Sequence, residues 1–221
     1  MPYDPNQPRD ELGRWTDNKG FYKANIYYEE ILNLLKSERI INDGKSSEIT
    51  QITDSAIDRV PYIEVDGYSQ AENEYIQNQH KELLRVARDC NDNKEVAFVF
   101  RKDLSDKSIY IGSDDELNFG SASFGKGVDL FVMHNHPRNS SFSMSDISFF
   151  LGKEDVKSIS IVKNNGFVEI ITKTEMYTVK KALLCYARLY KKTVKTNIKK
   201  EVDKLIGNLL SNNGGLIDWK R

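Results

Sequence analysis

Val128-Asp129-Leu130-Phe131-Val132-Met133-His134-Asn135-His136-Pro137 is a largely apolar run that ends in two of the chain's three histidines. An apolar segment of this length, closed by proline, reads as a buried strand. Side chains at i and i+2 of a strand leave the same face. The two imidazoles therefore stand side by side at the strand's C-terminal end, spaced to share one metal ion. Ser143-Met144-Ser145-Asp146 follows closely, and Asp146 offers a carboxylate oxygen as a third donor. Two histidines and a carboxylate form a ligand set used by catalytic zinc sites, which keep water in the fourth position. A lone His-x-His pair also occurs without metal; Pro137 and the Ser-x-x-Asp unit single this one out.

The surrounding pattern predicts an α/β (α+β) chain. Residues 96–100 and 108–111 read as paired strands across a polar turn, and residues 143–151 as a short helix. Two further strands, 157–162 and 167–172, flank Asn164-Asn165-Gly166. Asn-Gly is a strong hairpin signal, because a type I′ turn needs positive φ at both central positions. Upstream, Ser69-Gln70-Ala71-Glu72 has capping-box spacing. It opens a helix whose apolar stripe is expected to run through Ala71, Tyr75, Ile76, Leu83, Val86, Ala87 and Cys90. A helix is also expected around residues 47–60, stopped by Pro61, and an amphipathic one over 27–41. Downstream, apolar residues recur every three to four positions from about 174 to 210, the mark of long helical structure. Its outer face is rich in lysine, including Lys180, Lys191, Lys195 and Lys204; such a face is most often simply solvated.

These elements divide the chain into a polar arm over residues 1–20, broken by Pro2, Pro5 and Pro8, and an N-terminal helical segment over 21–92. A core at 93–175 carries the histidines, and a C-terminal helical extension occupies 176–221. The composition of the 221 residues sets limits on function. A formal net charge of −1 gives no overall electrostatic case for nucleic acid. Hydrophobic content of 39% beside 29% charged residues suits a soluble protein with a modest core. No apolar run approaches the length that spans a bilayer, and residues 1–15 lack the layout of a signal peptide. Cys90 and Cys185 form no CxxC and fall on apolar helix faces, so both are expected to be buried free thiols in a cytoplasmic protein.

Glu95, His134-x-His136-Pro137 and Ser143-x-x-Asp146, taken in order, resemble the JAMM motif of the JAB/MPN metallopeptidase family. The resemblance covers roughly residues 95–172 and extends to the order of strands, helix and hairpin. It implies a curved mixed sheet flanked by helices and one catalytic zinc ion per chain. His134, His136 and Asp146 match the metal-ligand positions, Glu95 the general acid/base, and Ser143 the residue that steadies the oxyanion. Each role has its own physical sense: zinc activates water and polarises a carbonyl, a carboxylate shuttles the proton, and a hydroxyl stabilises developing charge. Metal-bound histidines usually donate their second N–H to an outer acceptor, for which Asp129 is a candidate. Six residues separate His136 from Ser143, where the family commonly has seven. Ser143 and Asp146 are also an ordinary helix start, a cap with an acid near the positive dipole end; the two readings are compatible. Glu95 is the last residue before its strand, where a glutamate is often only exposed. Glu74, Glu82 and His80 read as helix-surface residues.

The His-Asn-His-Pro wording looks like the prokaryotic branch of the family, including RadC-like proteins and JAB domains of phage proteins. Residues 3–16 are similar to linkers of phage head-morphogenesis and portal-linked proteins. The expected activity is hydrolysis of a peptide or isopeptide bond in a protein substrate, such as a phage structural protein or a ubiquitin-like conjugate. Two alternatives stand beside it. One is a non-catalytic phage assembly component; the other is a RadC-like nucleic-acid-associated protein, supported only by the lysine-rich face. Specificity is expected to lie in residues 112–127 and in the helical additions.

Overall fold

A computed structural model describes residues 48–114, 128–178, 182 and 215–221. The arm over 1–20, the helix expected at 27–41, most of the 112–127 loop, Cys185 and the lysine-rich helical stretch lie outside these residues.

The described chain is a mixed α/β structure whose centre is a six-stranded sheet. Its elements are α1 (Asp54–Arg59), α2 (Gln70–Cys90), β1 (Val96–Arg101), β2 (Ser108–Ile111), β3 (Leu130–His136), α3 (Met144–Gly152), β4 (Val156–Lys163), β5 (Val168–Lys173) and β6 (Ile217–Lys220). The strand order is β2-β1-β3-β4-β5-β6. All pairings are antiparallel except β3 with β4, which are parallel. Parallel neighbours need a crossover, and α3 supplies it, so its N-terminal turn follows directly on the end of β3 that carries the histidines.

Local chemistry explains the helix starts. Ser69 caps α2 and Ser143 caps α3, each as a complete capping box with the acid three residues on. Thr53 caps α1, which ends before Pro61 and is shorter than the expected 47–60 helix. Buried Ile76, Leu83, Leu84 and Ala87 of α2 pack with Phe98, Phe100, Phe131, Met133 and Ile170 of the sheet. Met133, Asn135 and Val162 alternate along the strands with His134, His136, Ile161 and Lys163, which share the opposite face. One face thus meets α2 and the other carries the candidate site.

Four expectations are corrected. His80 is not a surface residue: it is 1% exposed, and its Nε2 lies 2.8 Å from the Ser160 hydroxyl. Its spacing with Ile76, Leu83 and Ala87 puts it on the buried stripe, whereas Tyr75 is exposed. Cys90, the last residue of α2, is exposed and not a buried thiol. The β4–β5 hairpin forms, but not through a type I′ turn. Gly166 N–H donates to Lys163 O at 2.7 Å, so the central residues are Asn164 and Asn165, neither at positive φ, and only Gly166 reaches φ 92°. This is the three-residue loop with glycine at the left-handed position. Finally, Ile217–Lys220 is not helical: it pairs with β5 as the sheet's edge strand β6. Among the described residues no helix is long and apolar enough to cross a membrane.

Candidate metal centre

His134 and His136 lie on β3, a strand buried at every position. Their Nε2 atoms face each other at 3.0 Å. Asp146, in the first turn of α3, places Oδ1 3.2 Å from His134 Nε2 and Oδ2 3.4 Å from His136 Nε2. Glu95 is 6% exposed, and its Oε1 lies 3.9 Å from His134 Nε2. Glu95, His134 and His136 are all buried and offer ligand atoms within 4.8 Å of one another, a cluster that could hold a metal ion. The one-residue-shorter connection after His136 does not pull Asp146 away from the imidazoles.

The distances can be tested against zinc. Bonds of about 2.0–2.1 Å at tetrahedral angles put neighbouring donor atoms about 3.3 Å apart. The His134–His136 and His134–Asp146 Oδ1 separations of 3.0 and 3.2 Å come close to those edges, while the other Asp146 oxygen, Oδ2, lies 3.4 Å from His136 Nε2. Protonation points the same way. Burial, the largest effect on Asp146, works to raise its pKa. The imidazoles of His134 and His136 outweigh it and hold the carboxyl well below its ordinary range. Burial likewise acts to lower the pKa of His136, and is overcome by Asp146, by Glu95 and by the Ser140 carbonyl, so the net shift is upward. The Asp146 and Glu95 carboxylates thus favour a positive charge at His136, either a proton or a metal ion.

The second ring nitrogen fixes the tautomer. His136 Nδ1 lies 3.1 Å from the Ser140 carbonyl and 2.9 Å from the Ser140 hydroxyl. A carbonyl only accepts, so Nδ1 carries a proton, and in the neutral ring this leaves the Nε2 lone pair for a metal ion. The outer acceptor is Ser140, not Asp129. Asp129 precedes β3 at its other end, where it lines a cleft of about 440 Å³ with Tyr68, Glu72 and Lys102. That cleft contains no histidine and is not where the chemistry gathers.

Ser143 sits at the N-cap of α3, exposed; its hydroxyl accepts from the Asp146 N–H at 3.1 Å. In return Asp146 Oδ2 accepts the Ser143 N–H at 2.6 Å. The cap therefore orients the Asp146 carboxylate toward the histidines, while the Ser143 O–H proton is left for another acceptor.

Sequence reasoning missed the amides that hold this arrangement. Asn135, between the two histidines and fully buried, points to the opposite face. Its Oδ1 accepts the Val96 N–H at 2.7 Å and its Nδ2 donates to the Lys94 carbonyl at 3.2 Å. One side chain thus grips the peptide groups on both sides of Glu95. From the other edge, Glu95 N–H donates to Ser113 O and Gly112 N–H to Glu95 O, at 3.0 and 2.8 Å. Asn135 also donates to Asn164 Oδ1, and Asn164 Nδ2 to the carbonyls of Thr50 and Asn93, at 2.8, 2.8 and 2.9 Å. These partners lie 29 to 114 residues apart in sequence, so no local pattern announces them.

No protein-family model, curated protein or solved structure matches this chain.

Proposed function

We propose that the chain is a zinc-dependent metallopeptidase or isopeptidase of JAB/MPN type, with His134, His136 and Asp146 as metal ligands. The observation that carries this reading is the convergence of the two imidazole Nε2 atoms, 3.0 Å apart, with the Asp146 carboxylate, which sets one oxygen 3.2 Å from His134 and the other 3.4 Å from His136, with Glu95 buried alongside. Zinc bound there supplies a coordinated water of lowered pKa and polarises the scissile carbonyl.

The protein's own residues supply the rest. Glu95 holds its carboxylate beside the ligand cluster, fixed in place by the grip of Asn135 on its flanking peptides. From there it takes the proton of the attacking water and passes it to the leaving amine. Ser143 directs its O–H at the oxyanion while its oxygen caps α3. Asp146, bound to the same cap, stays ionised and ready to ligate. The resemblance to prokaryotic and phage relatives favours a protein substrate in that setting.

The cluster of mutually close atoms includes Glu95 and thus admits a second ligand set, Glu95 with both histidines. The two assignments part in one experiment. Glu95→Gln, assayed with a library of linear and lysine-linked peptides, retains zinc and loses hydrolysis if Glu95 is the base. It loses zinc itself if Glu95 is a ligand. Wild-type protein that binds zinc yet cuts neither class of peptide counts against the enzyme and favours an assembly role.

A further inference from the structure

Beside the histidines, on the same face of the sheet, lies an ion pair with a buried glutamate that the proposed chemistry leaves unused. Lys163 on β4 is the register partner of His136, and Glu169 on β5 is the partner of Ile161, itself paired with His134. Lys163 Nζ lies 2.8 Å from Glu169 Oε1, with the glutamate side chain 5% exposed. That same oxygen accepts from the Ser141 hydroxyl at 2.8 Å, and Lys163 Nζ reaches the Ser141 hydroxyl at 3.4 Å.

Ser141 belongs to the connection between His136 and Ser143, and its neighbour Ser140 holds His136 Nδ1 through both carbonyl and hydroxyl. Consecutive serines therefore face two ways, one onto the ion pair and the other onto the imidazole. A connection of only six residues has little slack, and fixing Ser141 restricts the peptide that carries the Ser140 carbonyl.

We infer that Glu169, with Lys163, is a positioning group for His136: it anchors Ser141 so that Ser140 holds the imidazole with Nε2 aimed at the metal. Glu169 is set beneath the loop with one oxygen committed to it, as a carboxylate supporting a metal-ligand shell requires. This inference rests on the metal-centre reading.

The test is zinc affinity by chelator competition in the full chain, which needs no substrate. Ser141→Ala removes the anchor while leaving the ion pair, and Ser141→Thr restores a hydroxyl. Glu169→Gln removes the charge, and Ser160→Ala disturbs the opposite face through the His80 contact. Loss of outer-shell support typically weakens metal binding 10- to 100-fold. Ser141→Ala and Glu169→Gln should therefore weaken zinc binding about tenfold, while Ser141→Thr and Ser160→Ala stay near wild type. Wild-type affinity in folded Ser141→Ala, or equal weakening in Ser160→Ala, overturns the inference alone. A wild-type chain that takes up no zinc overturns the metal-centre reading and this inference with it. If Glu169→Gln does not fold, the Ser141 pair decides.

Discussion

Acidifying the protein from pH 7 to pH 5 should expose the energetic consequence of burying His80. In the folded chain the imidazole is enclosed between α2 and the sheet, and burial pushes its pKa down from 6.5 to about 3. In the unfolded chain it titrates normally. A group whose folded pKa is depressed contributes stability that is complete above the unfolded pKa, here 6.5, and is lost as pH falls toward about 3. Each pH unit inside that window is worth about 1.4 kcal/mol, so the loss at pH 5 is about 2 kcal/mol. For a domain of this size that lowers Tm by about 4–8 °C. The assay is urea unfolding of wild type and His80→Gln at pH 7 and pH 5. His134, His136 and the carboxylates are common to both proteins, so the difference of differences isolates His80. The variant should be less stable at pH 7, because its fit to Ser160 is poorer, but should lose about 2 kcal/mol less on acidification. Parallel stability–pH curves, or a His80 ring that titrates near 6.5 by NMR, would refute the reasoning.

Other perturbations test the scaffold around the site. Gly166→Ala should destabilise by at least about 1–2 kcal/mol, because the residue sits at φ 92° and an added Cβ would lie 2.1 Å from the Ala56 carbonyl oxygen; unchanged urea unfolding would contradict this packing of hairpin on α1. Asn164→Ala strips partners from Asn135, Thr50 and Asn93 at once, and should cost about 3 kcal/mol or more at the upper end of buried unsatisfied groups. Hydrogen exchange at the Val96 and Ile52 amides, which accept their order from this network, should accelerate in the variant. Saturating zinc at about a thousand times Kd should stabilise wild type by about 4 kcal/mol; a Tm indifferent to zinc would argue against ligation in the folded state.

Much of this organisation was legible locally. The apolar run into His134-Asn135-His136-Pro137 is a strand, the two capping boxes form, and Asp146 reaches both imidazoles. These features depend on neighbours a few residues apart, where side-chain periodicity and cap chemistry act. In sequence Gln79 and Lys81 flank His80 and suggest a surface position, whereas its helical neighbours are Ile76, Leu83, Leu84 and Ala87. The i, i+4, i+7 stripe of α2 places it inside. The Asn-Gly step marked the hairpin correctly but not its geometry, since packing on α1 fixes which residues turn. Asn135, Asn164, Glu169 and β6 act through partners distant in sequence, and only the assembled sheet brings those partners together.

The proposed site holds a single zinc ion between His134, His136 and Asp146, with Glu95 beside it as the base. Zinc stoichiometry, measured on purified wild type, His136→Ala, Asp146→Ala and Glu95→Gln, bears on it directly. The expected result is about one zinc per chain in wild type and Glu95→Gln, and almost none in the other two. Zinc-free wild type, or zinc kept by Asp146→Ala and lost from Glu95→Gln, would contradict it.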